Sequence, residues 1–197
     1  MINRFLKASL LVFALAIVLC PFNLAAADSL HYFALIERDT VPVAGQEYFL
    51  RHTFMHEKGV HRATNYWRGM LAPINSRVYL VTIGEKSMTL RLGSGETVRV
   101  ENVPNFTRTD MATIAKRMLS YKPVPIERFD KATVAAIKNG VMKIGMTKEQ
   151  VIMAHGYPPA HETPSLELDT WKYWSSRFVT QSIVFENGVL VRGRGIQ

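Results

Sequence analysis

The feature that most constrains this chain is a run of local signals over Lys143–Gly195, which set element boundaries without help from distant residues. Thr147 and Gln150 stand three apart. That is the spacing of a capping box, in which the Thr hydroxyl accepts from the backbone and the Gln side chain answers. Gly156 falls where a helix needs a left-handed residue at its end, and Pro158 forbids continuation. Asn187-Gly188, between the apolar runs Phe178–Phe185 and Val189–Arg192, is a two-residue hairpin signal. The stretch therefore predicts a helix over 147–155, a long loop, a strand at Trp171–Trp174, and a hairpin of two further strands.

These residues, in this order, resemble the SmpA/OmlA (BamE-like) envelope family. The resemblance is carried by Gly145, Met146, Thr147, Gln150, Val151, Gly156, Pro158, Trp171, Tyr173, Phe185, Asn187, Gly188 and Leu190, and covers the last third of the chain. It implies a two-helix, three-strand unit in the bacterial envelope, in proteins that bind partners or lipid rather than catalyse. Most of these residues are caps, turns and core positions, so the resemblance speaks to fold more than to activity.

The N-terminus reads as a secretory signal. Arg4 and Lys7 precede the apolar run Ala8–Leu19, and Ala25-Ala26-Ala27 supplies small residues for cleavage. The run is short for a membrane span, and Pro21 and Asn23 break any extension of it. Cleavage after Ala27 is the expectation, with retention as the rival. Cys20 raises lipidation, but Leu19 stands where a lipoprotein signal wants a small residue. Without residues 1–27 the chain has no cysteine, which excludes disulfides, thiol nucleophiles and thiolate metal sites.

Removing Arg4 and Lys7 from the 24 basic residues leaves 22 against 16 acidic, a net charge of +6. A basic exported protein is drawn to anionic lipid, cell-wall polymer or an acidic protein. The charges are spread, with no run of five, so simple solubility explains them equally well. Nucleic acid fits poorly, since export removes the protein from it and no recognition helix stands out.

From Asp28 the chain reads as mostly β. Gln46–Met55 is a strand candidate with Tyr48, Leu50 and Phe54 alternating, His56–Trp67 a polar loop, and Gly69–Ser76 a short strand and turn. Arg77–Ile83 is apolar on both faces, the pattern of a fully buried strand. Ser87–Leu92 and Thr97–Val103 alternate, with Met88, Leu90, Leu92, Val98 and Val100 inward. Short strands at this spacing suggest a small bent barrel, and the section resembles an SH3-like module in pattern. Met111, Ile114, Ala115, Met118 and Leu119 then form one apolar helical face behind a cap at Thr109 or Asp110. Lys122–Pro125 is a stiff linker. Glu127–Asn139 reads as a further helix, with Phe129, Ala132, Ala136 and Ile137 inward and Gly140 closing it.

No constellation compels catalysis. His52, His56 and His61 miss the metalloprotease spacing, so a solvated loop is the expectation, with a weak surface metal site as its rival. No Gly-x-Ser-x-Gly elbow exists, and Gly93-Ser94-Gly95 is spaced for a hairpin rather than a phosphate cradle. Glu162, Glu167 and Asp169 sit on a Pro-containing loop, a setting typical of solvated acids. Trp171 and Tyr173 share one strand face and Trp174 takes the other. Trp174 beside Arg177, Arg192 and Arg194 suits a partner or lipid interface. If helix 147–155 covers one face and the N-terminal module the other, it is core.

The expectation is thus an α+β protein with four sections: a signal at 1–27, an SH3-like barrel at 28–105, a helix and linker at 106–126, and a two-helix, three-strand unit at 127–197. It is expected to be a non-catalytic envelope module, in the periplasm or at the outer membrane. It would bind an envelope protein, anionic lipid or cell-wall polymer, with no nucleic acid, cofactor or metal. Its candidate binding residues are Tyr157, Trp171, Tyr173, Trp174, Arg177, Arg192 and Arg194. The alternative is a cell-wall-binding accessory of a peptidoglycan-acting enzyme.

Overall fold

The computed structural model describes residues 32, 34–36, 38–64, 66–176 and 178–196, so the signal expected at 1–27 and Arg177 lie outside the described residues. The protein is α+β, with two hydrophobic cores joined along a polar-bonded seam. Among the described residues no helix is long and apolar enough to cross a membrane.

The first core lies under a six-stranded sheet. Strands β1 (Gln46–Leu50), β5 (Arg77–Ile83), β6 (Ser87–Leu92), β7 (Thr97–Glu101), β3 (Val60–Arg62) and β8 (Leu119–Ser120) take the order β3-β7-β6-β5-β1-β8. All neighbours are antiparallel except β3 and β7. A two-stranded ribbon, β2 (Phe54–His56) with β4 (Met70–Ala72), lies beside it. Alternation puts Tyr48, Leu50, Val78, Leu80, Met88, Leu90, Val98 and Val100 on one buried face. Burying each such aliphatic side chain stabilises by roughly 1.5–3 kcal/mol. Helix α1 (Pro104–Thr107) is a single turn. Helix α2 (Met111–Met118) covers the core with Met111, Ile114, Ala115 and Met118. Asp110 caps it, accepting from Thr113 N at 2.7 Å.

The small closed barrel expected for 28–105 does not form among the described residues, because β3 and β8 remain as open edges. Four other expectations need correction. Helix 110–121 stops at Met118, where Leu119 turns extended and pairs with Leu50, so α2 lies on the first core rather than between two units. Arg77–Ile83 is one-sided: Val78 and Leu80 are buried, Val81 is exposed, and the register shifts between Leu80 and Thr82. The loop expected at His56–Trp67 contains β3. Its histidines are not solvated either: His52, His56 and His61 are 3%, 2% and 2% exposed.

The second core is built by α3 (Lys131–Lys138), α4 (Lys148–His155) and an antiparallel sheet of β9 (Thr170–Ser176), β10 (Val179–Glu186) and β11 (Val189–Gly193), in the order β11-β10-β9. A single 3-10 turn at Ile126–Arg128 precedes α3, which Asp130 caps. Ala136 and Ile137 point inward, whereas Ala132 is exposed and Phe129 only partly buried. The capping box is present at α4: Thr147 N donates to Gln150 Oε1 at 2.9 Å, and Gln150 N to Thr147 Oγ1 at 3.3 Å. Gly156 ends α4 with φ of 76° and ψ of −175°, a positive-φ conformation other than the left-handed helical one. Asn187 and Gly188, at φ of 51° and 76°, make the β10–β11 turn.

The seam is specific. Thr53 N donates to Met153 O at 2.9 Å, Thr53 Oγ1 donates to Ile137 O at 2.8 Å, and Ile74 N donates to Thr53 Oγ1 at 3.0 Å. Asn75 pairs both ways with Val124, at 2.9 and 2.7 Å. Trp67 stacks on His155 with centroids 3.8 Å apart.

Candidate functional site

The strand register sorts the candidate residues. Ile183 pairs with Trp171 and Gln181 with Tyr173, so both aromatics face the second core, where they are 0% and 1% exposed. Tyr173 Oη donates to Gly156 O at 2.9 Å. Lys148 Nζ lies 5.7 Å from the centre of the Trp171 ring. Trp171 and Tyr173 are therefore packing residues and present no binding surface. Trp174 pairs with Thr180 on the opposite face and is half-buried.

On that face Trp174 joins an aromatic ladder. Phe106 packs on His161 at 4.7 Å, His161 stacks on Trp174 at 5.9 Å and 14°, and Tyr66 meets Trp174 edge-on at 6.4 Å. Phe106 O accepts from His161 N at 3.1 Å, which fixes α1 against the 157–169 loop. Lys172 Nζ donates to Glu162 Oε2 at 2.7 Å, and this bond holds the Glu162 carboxyl below its usual pKa.

The ladder runs beside a groove of about 820 Å³ between β3–β7 and the end of β9. Its apolar lining includes Tyr66, Phe106, Trp174 and Phe178, the last 85% exposed at the rim. Among the described residues its charged lining is four cations, Lys58, Arg62, Arg68 and Arg99, and two anions, Glu57 and Glu101. Arg99 reaches Glu101 at 2.5 Å and Arg62 reaches it at 3.6 Å, while Arg68 lies 3.3 Å from Glu57. The three arginine side chains are 56–68% exposed. Exposed pairs of this kind contribute about 0–1 kcal/mol each, so a ligand can draw the guanidinium groups away at little cost.

The remaining candidates scatter. Tyr157 lines a separate cavity of about 30 Å³ with His52, and Arg117 lies over its ring at 4.8 Å. Arg192, opposite Val184, shares the outer sheet face with Trp174 but stands two strands away, exposed. Arg194 is exposed beyond β11, where its carbonyl accepts from Gln181. Neither lines the groove. Among the described residues of the proposed set, Trp174 alone lines it.

The groove residues from β3, β7 and α1 had no sequence signal as a set. Tyr66 and Trp67 end the segment expected as a loop, with Arg68 directly after it, and this adjacency of aromatic and basic residues is a local signal the sequence reading did not use. Among the described residues no group of His, Cys, Asp or Glu is arranged to hold a metal ion. His61 Nδ1 lies 2.7 Å from Met55 O, and His56 Nδ1 is 3.6 Å from Glu96 Oε1. His52 and His155 are buried, and desolvation pushes both down to a pKa of about 4. The two rings are thus neutral at pH 7.

Comparison of the chain with protein-family models, with curated proteins and with solved structures gives no match.

Proposed function

We propose that this chain is a non-catalytic exported protein of the bacterial envelope, a binding or assembly module that takes its partner in the Trp174 groove. The observation that carries this reading is the groove itself. It is a wide open cleft with half-exposed aromatic rings, loosely paired cations and an aromatic side chain, Phe178, held 85% in solvent. Clefts of this size that combine apolar walls with a few polar groups are the usual form of a ligand site.

Two features of the chain support the envelope setting. The N-terminal sequence has the charge, apolar run and small residues of an export signal. The C-terminal unit carries the cap, turn and strand residues that resemble the SmpA/OmlA family, and we assign 127–197 to that class. The second reading, a cell-wall-binding accessory, is favoured by the mixture of acids and bases in the lining.

Retention of the purified full chain on washed envelope fragments tests the reading. Trp174→Ala and Phe178→Ala are each expected to lower retention at least tenfold. Retention that neither substitution changes would overturn it. Retention by purified wall, but not by lipid or outer-membrane proteins, would favour the second reading.

A further inference from the structure

We infer that the groove binds a glycan chain whose sugars carry carboxylate groups. This rests on the groove being the binding surface and narrows what enters it.

The chemistry of the lining selects among anionic ligands. Sugar hydroxyls both donate and accept, so they suit a wall with guanidinium donors and carboxylate acceptors side by side. Glu101, bracketed by Arg62 and Arg99, offers that pairing. The apolar faces of sugar rings pack on aromatic rings, and Tyr66, Trp174 and Phe178 line the groove. The excess of four cations over two anions then favours sugars with acidic substituents, because Arg holds a carboxylate through paired hydrogen bonds.

The backbone argues against the other acidic ligands. An extended peptide gains most of its affinity by adding a strand to a sheet edge. β3 and β9 are edge strands, but part of each edge is already taken up. On β3, Val60 N and Val60 O are each bonded to Glu57, at 3.0 Å. On β9, Lys172 N donates to Thr163 Oγ1 at 3.0 Å. An acyl chain needs a continuous apolar surface, and six charged side chains line this groove.

Titration calorimetry of the purified full chain tests this with four probes: oligogalacturonate, its methyl ester, poly-L-glutamate and phosphatidylglycerol vesicles. Oligogalacturonate is expected to bind at least tenfold more tightly than each of the others. Trp174→Ala and Arg99→Ala should each weaken it at least tenfold, and Trp174→Phe should retain most of it. Phe178 is so exposed that Phe178→Ala leaves folding intact, and it should also weaken binding. Equal binding of the ester or of poly-L-glutamate, or no binding of oligogalacturonate, overturns the inference. If poly-L-glutamate or vesicles bind instead and Trp174→Ala abolishes that binding, the glycan is wrong and the groove stands. If no substitution affects any probe or the envelope fragments, both readings fall.

Discussion

Thr53 ties the two cores at three points. Its amide donates to Met153 O, its hydroxyl donates to Ile137 O, and the same hydroxyl accepts from Ile74 N. It is fully buried, so water cannot replace a lost partner. Thr53→Val keeps the shape and orphans the buried Ile74 amide, while Ile137 O keeps its bond from Gly140 N at 3.2 Å. At 1–3 kcal/mol for the one unsatisfied group, urea unfolding should show a loss of roughly 1–3 kcal/mol. A loss below about 0.5 kcal/mol would mean that the seam is not bonded as described. Nothing in the sequence marks Thr53, because its partners lie 21, 84 and 100 residues away. Thr147 is the contrary case. Its partner is three residues off, so spacing alone locates the cap.

At the scale of elements, the signals that match the structure are the ones that act within a few residues. The capping box, the Asn187-Gly188 turn and the alternation in β6 and β7 are all present. Residue type is the misleading signal. Strand β3 is three residues long and buries His61, so polarity points to a loop. Strand β5 is rich in apolar residues although only one of its faces is covered. Barrel closure is decided by which strands meet at the two edges, and alternation carries no record of that. The turn after α3 offers a test at this scale. Gly140 has φ of 68°, and a Cβ there would lie 2.0 Å from Trp67 Cζ2. Gly140→Ala must therefore strain the backbone and displace Trp67 from His155. The expected cost is roughly 2–5 kcal/mol, combining left-handed strain with overpacking. Fluorescence should report a changed Trp67 environment. An unperturbed spectrum and an unchanged unfolding midpoint would contradict this packing.

For the whole molecule, the same seam sets the response to pH. His52 belongs to the segment after β1 and His155 to the end of α4, and both have a folded pKa of about 4 against an ordinary 6.5. The folded state therefore refuses protons that the unfolded chain accepts. Stability is full above about pH 6.5 and is lost as pH falls toward 4, by roughly 3 kcal/mol for each ring. That is a large share of the stability of an ordinary domain. Arg117, on the wall of the cavity shared with His52, adds positive charge there and offers no relief. Urea midpoints should fall steeply between pH 6.5 and 4.5. His155→Phe should flatten that slope, and a flat profile in the unsubstituted chain would contradict the burial of these rings. The groove is likewise a property of the whole chain. It draws on residues 55–68, 99–106 and 174–178, three segments that meet only once both cores are folded. This is why the sequence points to Trp174 but groups it with Arg192 and Arg194, which stand elsewhere.

The most direct measurement is an amide and indole NMR map of the full chain titrated with oligogalacturonate, with the Trp174 indole signal identified through Trp174→Phe. The Trp174 indole and the amides of Tyr66, Arg99 and Phe178 are expected to shift together and saturate at one ligand concentration, while the buried Trp171 indole stays still. Shifts centred on Arg192 and Arg194, or none at Trp174, would contradict a groove-binding protein.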